Sequence, residues 1–129
     1  MNTIEKGNVT ELEVQLEFVK KKYLVFTPVN DGSCVDLIVI IDGICIKVQV
    51  KTSRKTGSGF RFSCYRCTGG KEKKKYTTKE IDAYCTMFDG KLYLIPIGKC
   101  KGFDMTLRTD MRNNCNNGYI PNFAKEYLL

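Results

Sequence analysis

The clearest pattern of apolar and polar positions lies between residues 35 and 51, VDLIVIIDGICIKVQVK. Two apolar runs flank Asp42-Gly43, a dipeptide suited to both central positions of a type I′ two-residue turn, where φ is positive. A turn that tight sets residue 41 opposite 44 and places Asp36 across from Gln49. Strand alternation then sends Lys51 to the same face as Gln49, two residues further on. The opposite face is wholly apolar: Val35, Leu37, Val39 and Ile41 against Ile44, Ile46, Val48 and Val50. One face of the hairpin is core. The other gathers Asp36, Gln49 and Lys51 at one end.

The same reading places the remaining elements. Residues 3 to 22 form an amphipathic helix with an apolar stripe of Val9, Leu12, Leu16 and Val19. Lys20, Lys21 and Lys22 close it at the negative end of its dipole. Gly7 leaves two options: a start near Asn8 with Glu11 as its capping partner, or close packing at the glycine. Short strands follow at Tyr23 to Pro28 and at Phe60 to Tyr65, and Gly69 to Lys75 reads as a flexible basic loop. Thr77 and Glu80 make a T-x-x-E capping signature, predicting a second helix to about Phe88. KLYLIPI, residues 91 to 97, and residues 103 to 108 read as strands, residues 113 to 118 as a loop, and residues 121 to 128 as a terminal helix. The order α-β-β-β-β-α-β predicts a single α/β domain over residues 1–129, a central mixed sheet flanked by helices.

Charge adds a direction to this picture. The net charge is +7, and residues 51 to 79 hold ten basic residues against a single acid. A basic block of that density suits a phosphate backbone, because neutralising phosphates releases condensed counterions. Its members include Arg54, Lys55, Arg61, Arg66, Lys71, Lys73, Lys74 and Lys75, the candidate DNA contacts. Arg61 and Arg66, five positions apart, should point to opposite faces of a regular strand. No apolar run approaches the ~18 residues that span a membrane, and the N-terminus shows no signal pattern, so a cytoplasmic protein without a membrane partner is expected. Seven cysteines, an odd number without a secretion signal, imply reduced thiols. Cys64 and Cys67 form a lone C-x-x-C in a chain without histidine, which argues against structural zinc; Cys34, Cys45 and Cys85 read as small core or near-core residues.

Three stretches carry a resemblance to a known family: residues 6 to 43, beginning KGNVTELE, then KVQVKTS, then YTTKEIDAYCTMFDGKLYLIPI. Together they resemble the PD-(D/E)XK nuclease superfamily, in which a helix bearing a glutamate precedes a hairpin with an acid and a (D/E)-x-K pair. Within it the chain is most similar to homing endonucleases encoded in group I introns, and more distantly to archaeal Holliday-junction resolvases. The resemblance implies a metal-dependent endonuclease that cuts duplex DNA. Glu11 takes the place of the helix acid, Asp36 of the motif aspartate, Gln49 of the (D/E) position and Lys51 of the lysine. Glu11, Asp36 and Gln49, with a backbone carbonyl at residue 50, would hold Mg²⁺ (or Mn²⁺), a cation that prefers oxygen donors. Gln49 is neutral where many relatives carry an acid, which costs the site one negative charge. The alternatives are a branched-DNA resolvase or a catalytically silent nucleic-acid-binding module. Cutting both strands favours a homo-oligomer, with residues 113 to 129 as the expected contact.

Overall fold

The computed structural model describes residues 1–30, 32–67, 69–70, 72–110 and 122–129. Helix α1 spans Thr3–Lys20. Its start is fixed by a reciprocal capping box: Asn2 Oδ1 accepts from the Glu5 N–H at 2.9 Å, and Glu5 Oε2 from the Asn2 N–H at 2.9 Å. The start near Asn8 is thereby replaced, and Glu11 is released from any capping role. Nothing packs close to Gly7. At the other end Lys22 takes φ 70°, and the Tyr23 N–H reaches back to the Phe18 carbonyl at 3.1 Å, closing the last turn.

Ten strands follow among the described residues: β1 (Leu24–Phe26), β2 (Leu37–Ile41), β3 (Ile44–Val50), β4 (Arg54–Lys55), β5 (Gly59–Ser63), β6 (Tyr65–Cys67), β7 (Lys73–Lys75), β8 (Ala83–Phe88), β9 (Lys91–Pro96) and β10 (Asp104–Arg108). The central sheet runs β1-β2-β3-β8-β9 and is mixed, because only β3 and β8 are parallel. A second sheet, β10-β5-β4, and a ribbon, β6-β7, complete the fold. Two 3-10 turns, Ile97–Lys99 and Ala124–Tyr127, are short; the latter stands where a terminal helix was expected.

The hairpin forms as its sequence dictates. Asp42 and Gly43 take φ 52° and 78°, and Leu37 pairs with Val48 through to Ile41 with Ile44. Burial follows the predicted apolar face over its first half, where Leu37, Val39, Val48 and Val50 are buried, whereas Ile44 at the turn is 64% exposed.

Two of the larger predictions are overturned. The T-x-x-E segment makes one turn only, with the Thr77 N–H bonded to Glu80 Oε1 at 3.0 Å, and residues 83 to 88 are strand β8. Asp82 explains the switch. Its N–H donates to the Lys47 carbonyl and its Oδ2 accepts the Lys47 N–H, both at 2.9 Å, steering the chain alongside β3. Among the described residues α1 is thus the only α-helix, and it covers one face of the central sheet. The other prediction concerns that helix: Val9, Leu12, Leu16 and Val19 are exposed, and Val14 and Phe18 are the fully buried residues.

The two faces of the central sheet carry separate cores. On one side Val14 and Phe18 of α1 meet Leu37, Val39, Val48, Val50, Cys85 and Leu92. On the other Tyr84, Tyr93 and Ile95 meet Phe60, Phe62, Met105 and Leu107 of the second sheet. β5 and β10 approach so closely at Gly59 that a Cβ there would run into the Leu107 carbonyl. The basic segment is partly ordered too, since Lys73–Lys75 pairs with β6 where a loop was expected. Of the three predicted core cysteines, Cys85 is buried, Cys34 partly so, and Cys45 is exposed. No helix among the described residues is long and apolar enough to cross a membrane.

Candidate active site

Asp36 sits where the chain enters β2, and the ladder changes there. Its N–H donates to the Val48 carbonyl at 2.9 Å, and its Oδ2 accepts the Val50 N–H at 2.8 Å. The Asp36 backbone donates to β3 while its side chain, in place of a carbonyl, accepts from β3, so Asp36 does not simply pair with Gln49. This pins the carboxylate at the end of the parallel pair β3-β8. Burial pushes Asp36 up to about 6, the nearby Glu11 adds to the rise, and the Val50 hydrogen bond and Lys51 oppose it. Glu11 is also raised by burial.

These two carboxylates line one cleft of about 430 Å³, together with Gln15, Thr27, Pro28 and Asn30. Gln15 follows Glu11 by one helical turn, so both project from the same side of α1. That spacing was visible in the sequence, and Gln15 is the cleft residue that motif matching passed over. Among the described residues no three His, Cys, Asp or Glu side chains converge. The donors that do converge are oxygens: two carboxylates with an amide beside them. Such a set fits a hard divalent cation rather than zinc. The raised proton affinity of Asp36 comes mainly from its burial, and the Glu11 carboxylate adds to it.

Lys51 continues from β3, its N–H bonded to the Cys85 carbonyl at 2.9 Å. Its ammonium donates to the Tyr65 carbonyl at 3.1 Å and the Tyr76 hydroxyl at 3.2 Å, and lies 4.8 Å from the Tyr76 ring centre. Burial lowers the lysine's proton affinity, and Asp36 pulls it back up. Tyr76, raised to about 12 chiefly by burial, stays a neutral donor and acceptor. No local signal links Tyr76 to Lys51, which lies 25 residues away. Gln49 does not line the cleft. It pairs with Tyr84 across β3-β8, and its Nε2 stands 3.5 Å from the Val50 carbonyl, the backbone oxygen expected beside a cation.

The basic residues divide by their partners. Arg66 pairs with Glu80 at 3.2 Å and donates to Cys34 Sγ at 3.0 Å, an internal anchor rather than an open contact. Arg54 pairs with Asp104 at 3.4 Å and stands opposite Arg61 across β4-β5. Lys73 lies over the Tyr65 and Phe103 rings, and Lys75 over Phe103. Lys55, Arg61 and Lys74 are exposed. Lys71 falls outside the described residues. Of the C-x-x-C pair, Cys64 is buried and Cys67 exposed, and the six described cysteines are free thiols.

A pinned aspartate at a hairpin entry thus shares a cleft with a helix glutamate, and a lysine stands two residues past Gln49. A sequence model of the PD-(D/E)XK endonuclease family matches residues 1–125, and the chain belongs to that family. Its fold is similar to that of a bacterial homing endonuclease, I-Ssp6803I, with a TM-score of 0.67 and 20% identity over 98% of this chain and 86% of the other. A search of curated proteins finds no match.

Proposed function

We propose that the chain is a divalent-metal-dependent endodeoxyribonuclease of the homing type, acting on duplex DNA as a homo-oligomer. The observation that carries this reading is the pinned Asp36 carboxylate sharing a cleft with Glu11, with Lys51 electrostatically coupled to it. Asp36 and Glu11 would hold Mg²⁺ (or Mn²⁺) in the cleft that they share with the Gln15 amide, and the Val50 carbonyl and Gln49 would join them only once the Gln49 amide turns away from that carbonyl. When bound, the cation supplies a water of lowered pKa and neutralises charge on the phosphoryl oxygens. Tyr65 and Tyr76 hold the Lys51 ammonium on the side of the ribbon β6-β7. There its charge is fixed near Asp36 and stabilises the extra negative charge of the transition state. Lys55, Arg61, Lys73, Lys74 and Lys75 supply the phosphate-binding surface, with Arg54 and Arg66 bracing it.

The test is nicking of supercoiled plasmid with Mg²⁺ and with a chelator. Nicking should require the ion, and Lys51→Ala should slow it by roughly 100-fold or more while leaving the circular dichroism spectrum unchanged. Cleavage in chelator, or full activity in Lys51→Ala, would count against the site. DNA binding without cleavage under any divalent ion would leave only a binding module.

A further inference from the structure

Helix α1 carries two apolar faces, and among the described residues only one is packed against the rest of the chain. Val14 and Phe18 are fully buried against the central sheet, while Val9, Leu12, Leu16 and Val19 are 39%, 65%, 54% and 58% exposed. At about 100° per residue, the exposed set centres half a turn away from Val14. A helix lying on a core normally presents polar residues there. This one presents steps of three, four and three, the a/d spacing of a coiled-coil seam.

The seam also reads the same in both directions: Val, Leu, Leu, Val. Reversal therefore superimposes the pattern on itself, the property that a two-fold, isologous contact requires. An antiparallel pairing sets Val9 against Val19 of the partner subunit and Leu12 against Leu16 of the partner subunit. Charge favours the same orientation. Glu5 stands in the first turn of α1, and Lys20, Lys21 and Lys22 stand at its end. Antiparallel helices bring acid beside base and oppose their dipoles, whereas parallel ones would put like beside like.

We propose that this face of α1 is a self-association surface, joining two copies of the chain helix to helix in antiparallel register. The inference does not rest on the nuclease reading. It bears on that reading because Glu11 projects from the same helix, so the pairing would hold two clefts in fixed relation.

Light scattering after gel filtration, at loadings up to about 100 µM to allow for a micromolar dissociation constant, should give twice the chain mass for the wild type. Leu12→Lys and Leu16→Glu should each run as monomers with unchanged helical circular dichroism, because both positions face solvent. Mixed in equal amounts they should regain the dimer mass, since antiparallel pairing sets the new lysine against the new glutamate and leaves the other layer leucine on leucine. Plasmid nicking by either monomer should persist, separating loss of assembly from loss of chemistry. A monomeric wild type, or a Leu16→Glu protein that keeps its mass, overturns the surface. Two monomeric variants that fail to combine overturn the antiparallel register. If one variant fails to fold, the mass of the other decides: a dimer mass overturns the surface and a monomer mass supports it.

Discussion

Asp36 is held in place by a bond that does not need its charge. The Val50 N–H donates to Oδ2, and an asparagine oxygen accepts the same bond. Asp36→Asn should therefore remove a half-buried anion beside Glu11 without leaving the Val50 N–H unpaired, whereas Asp36→Ala would orphan it at about 1–3 kcal/mol. The sign of the pH effect follows from the folded value of about 6 against the ordinary 3.8. A carboxyl raised in the folded state contributes stability that is complete below 3.8 and lost as pH rises through about 6. In chelator, Asp36→Asn should melt at a higher temperature than wild type at pH 7, by at most about 3 kcal/mol in stability. The difference should vanish near pH 4 by the same linkage. Adding Mg²⁺ should raise the melting temperature of the wild type and not of the variant, because only a ligand that binds the folded state stabilises it. Equal melting at pH 7 would show that Asp36 carries no strained charge.

At the scale of elements, two hairpins use the same device. Asp42-Gly43 joins β2 to β3, and Asp89-Gly90, with φ 51° and 72°, joins β8 to β9. The second Asp-Gly was as plain in the sequence as the first. It was masked by the T-x-x-E signature upstream, which makes a real turn but governs only its own four residues. A parallel strand buried on both faces reads as a nearly continuous apolar run, and over so short a length such a run also fits a buried helix. Gly59 tests the packing between β5 and β10. Gly59→Ala places a methyl group against the Leu107 carbonyl and should destabilise by about 1–3 kcal/mol, seen as a lower urea midpoint. An unchanged midpoint would mean that the two strands separate freely.

At the scale of the whole molecule, the basic segment wraps the Lys51 side of the sheet without forming one uniform patch. Alternation on β7 puts Lys73 and Lys75 against aromatic rings and Lys74 on the opposite side, with Arg66 as its cross-strand partner. If the surface binds phosphates, affinity should fall with salt at a log–log slope of about −0.9 per neutralised phosphate. Replacing Lys73, Lys74 and Lys75 with alanine should flatten that slope and weaken specific and random duplexes alike. Arg66→Ala should instead loosen the Glu80 turn and lower thermal stability. Fluorescence anisotropy across a salt series separates the two, and salt-insensitive binding would sink the nucleic-acid reading.

Local pattern was sufficient for the hairpin of residues 37–50, because a type I′ turn and strict alternation fix register within a dozen residues. It also placed Asp36, Gln49 and Lys51 near one end, since a strand carries every second side chain to one face. The chain's end shows where that reach stops: Leu129 bonds back to the Leu92 carbonyl at 3.0 Å, so the described part of the expected contact tail packs on its own chain. Tertiary structure alone decided which stripe of α1 is buried, because two apolar stripes half a turn apart are indistinguishable until a sheet selects one. It alone decided that residues 83–88 extend beside β3, through bonds between Asp82 and Lys47 that sequence periodicity does not encode. It alone joined Lys51 to Tyr76, since contacts between distant segments depend on how layers stack and not on spacing along the chain.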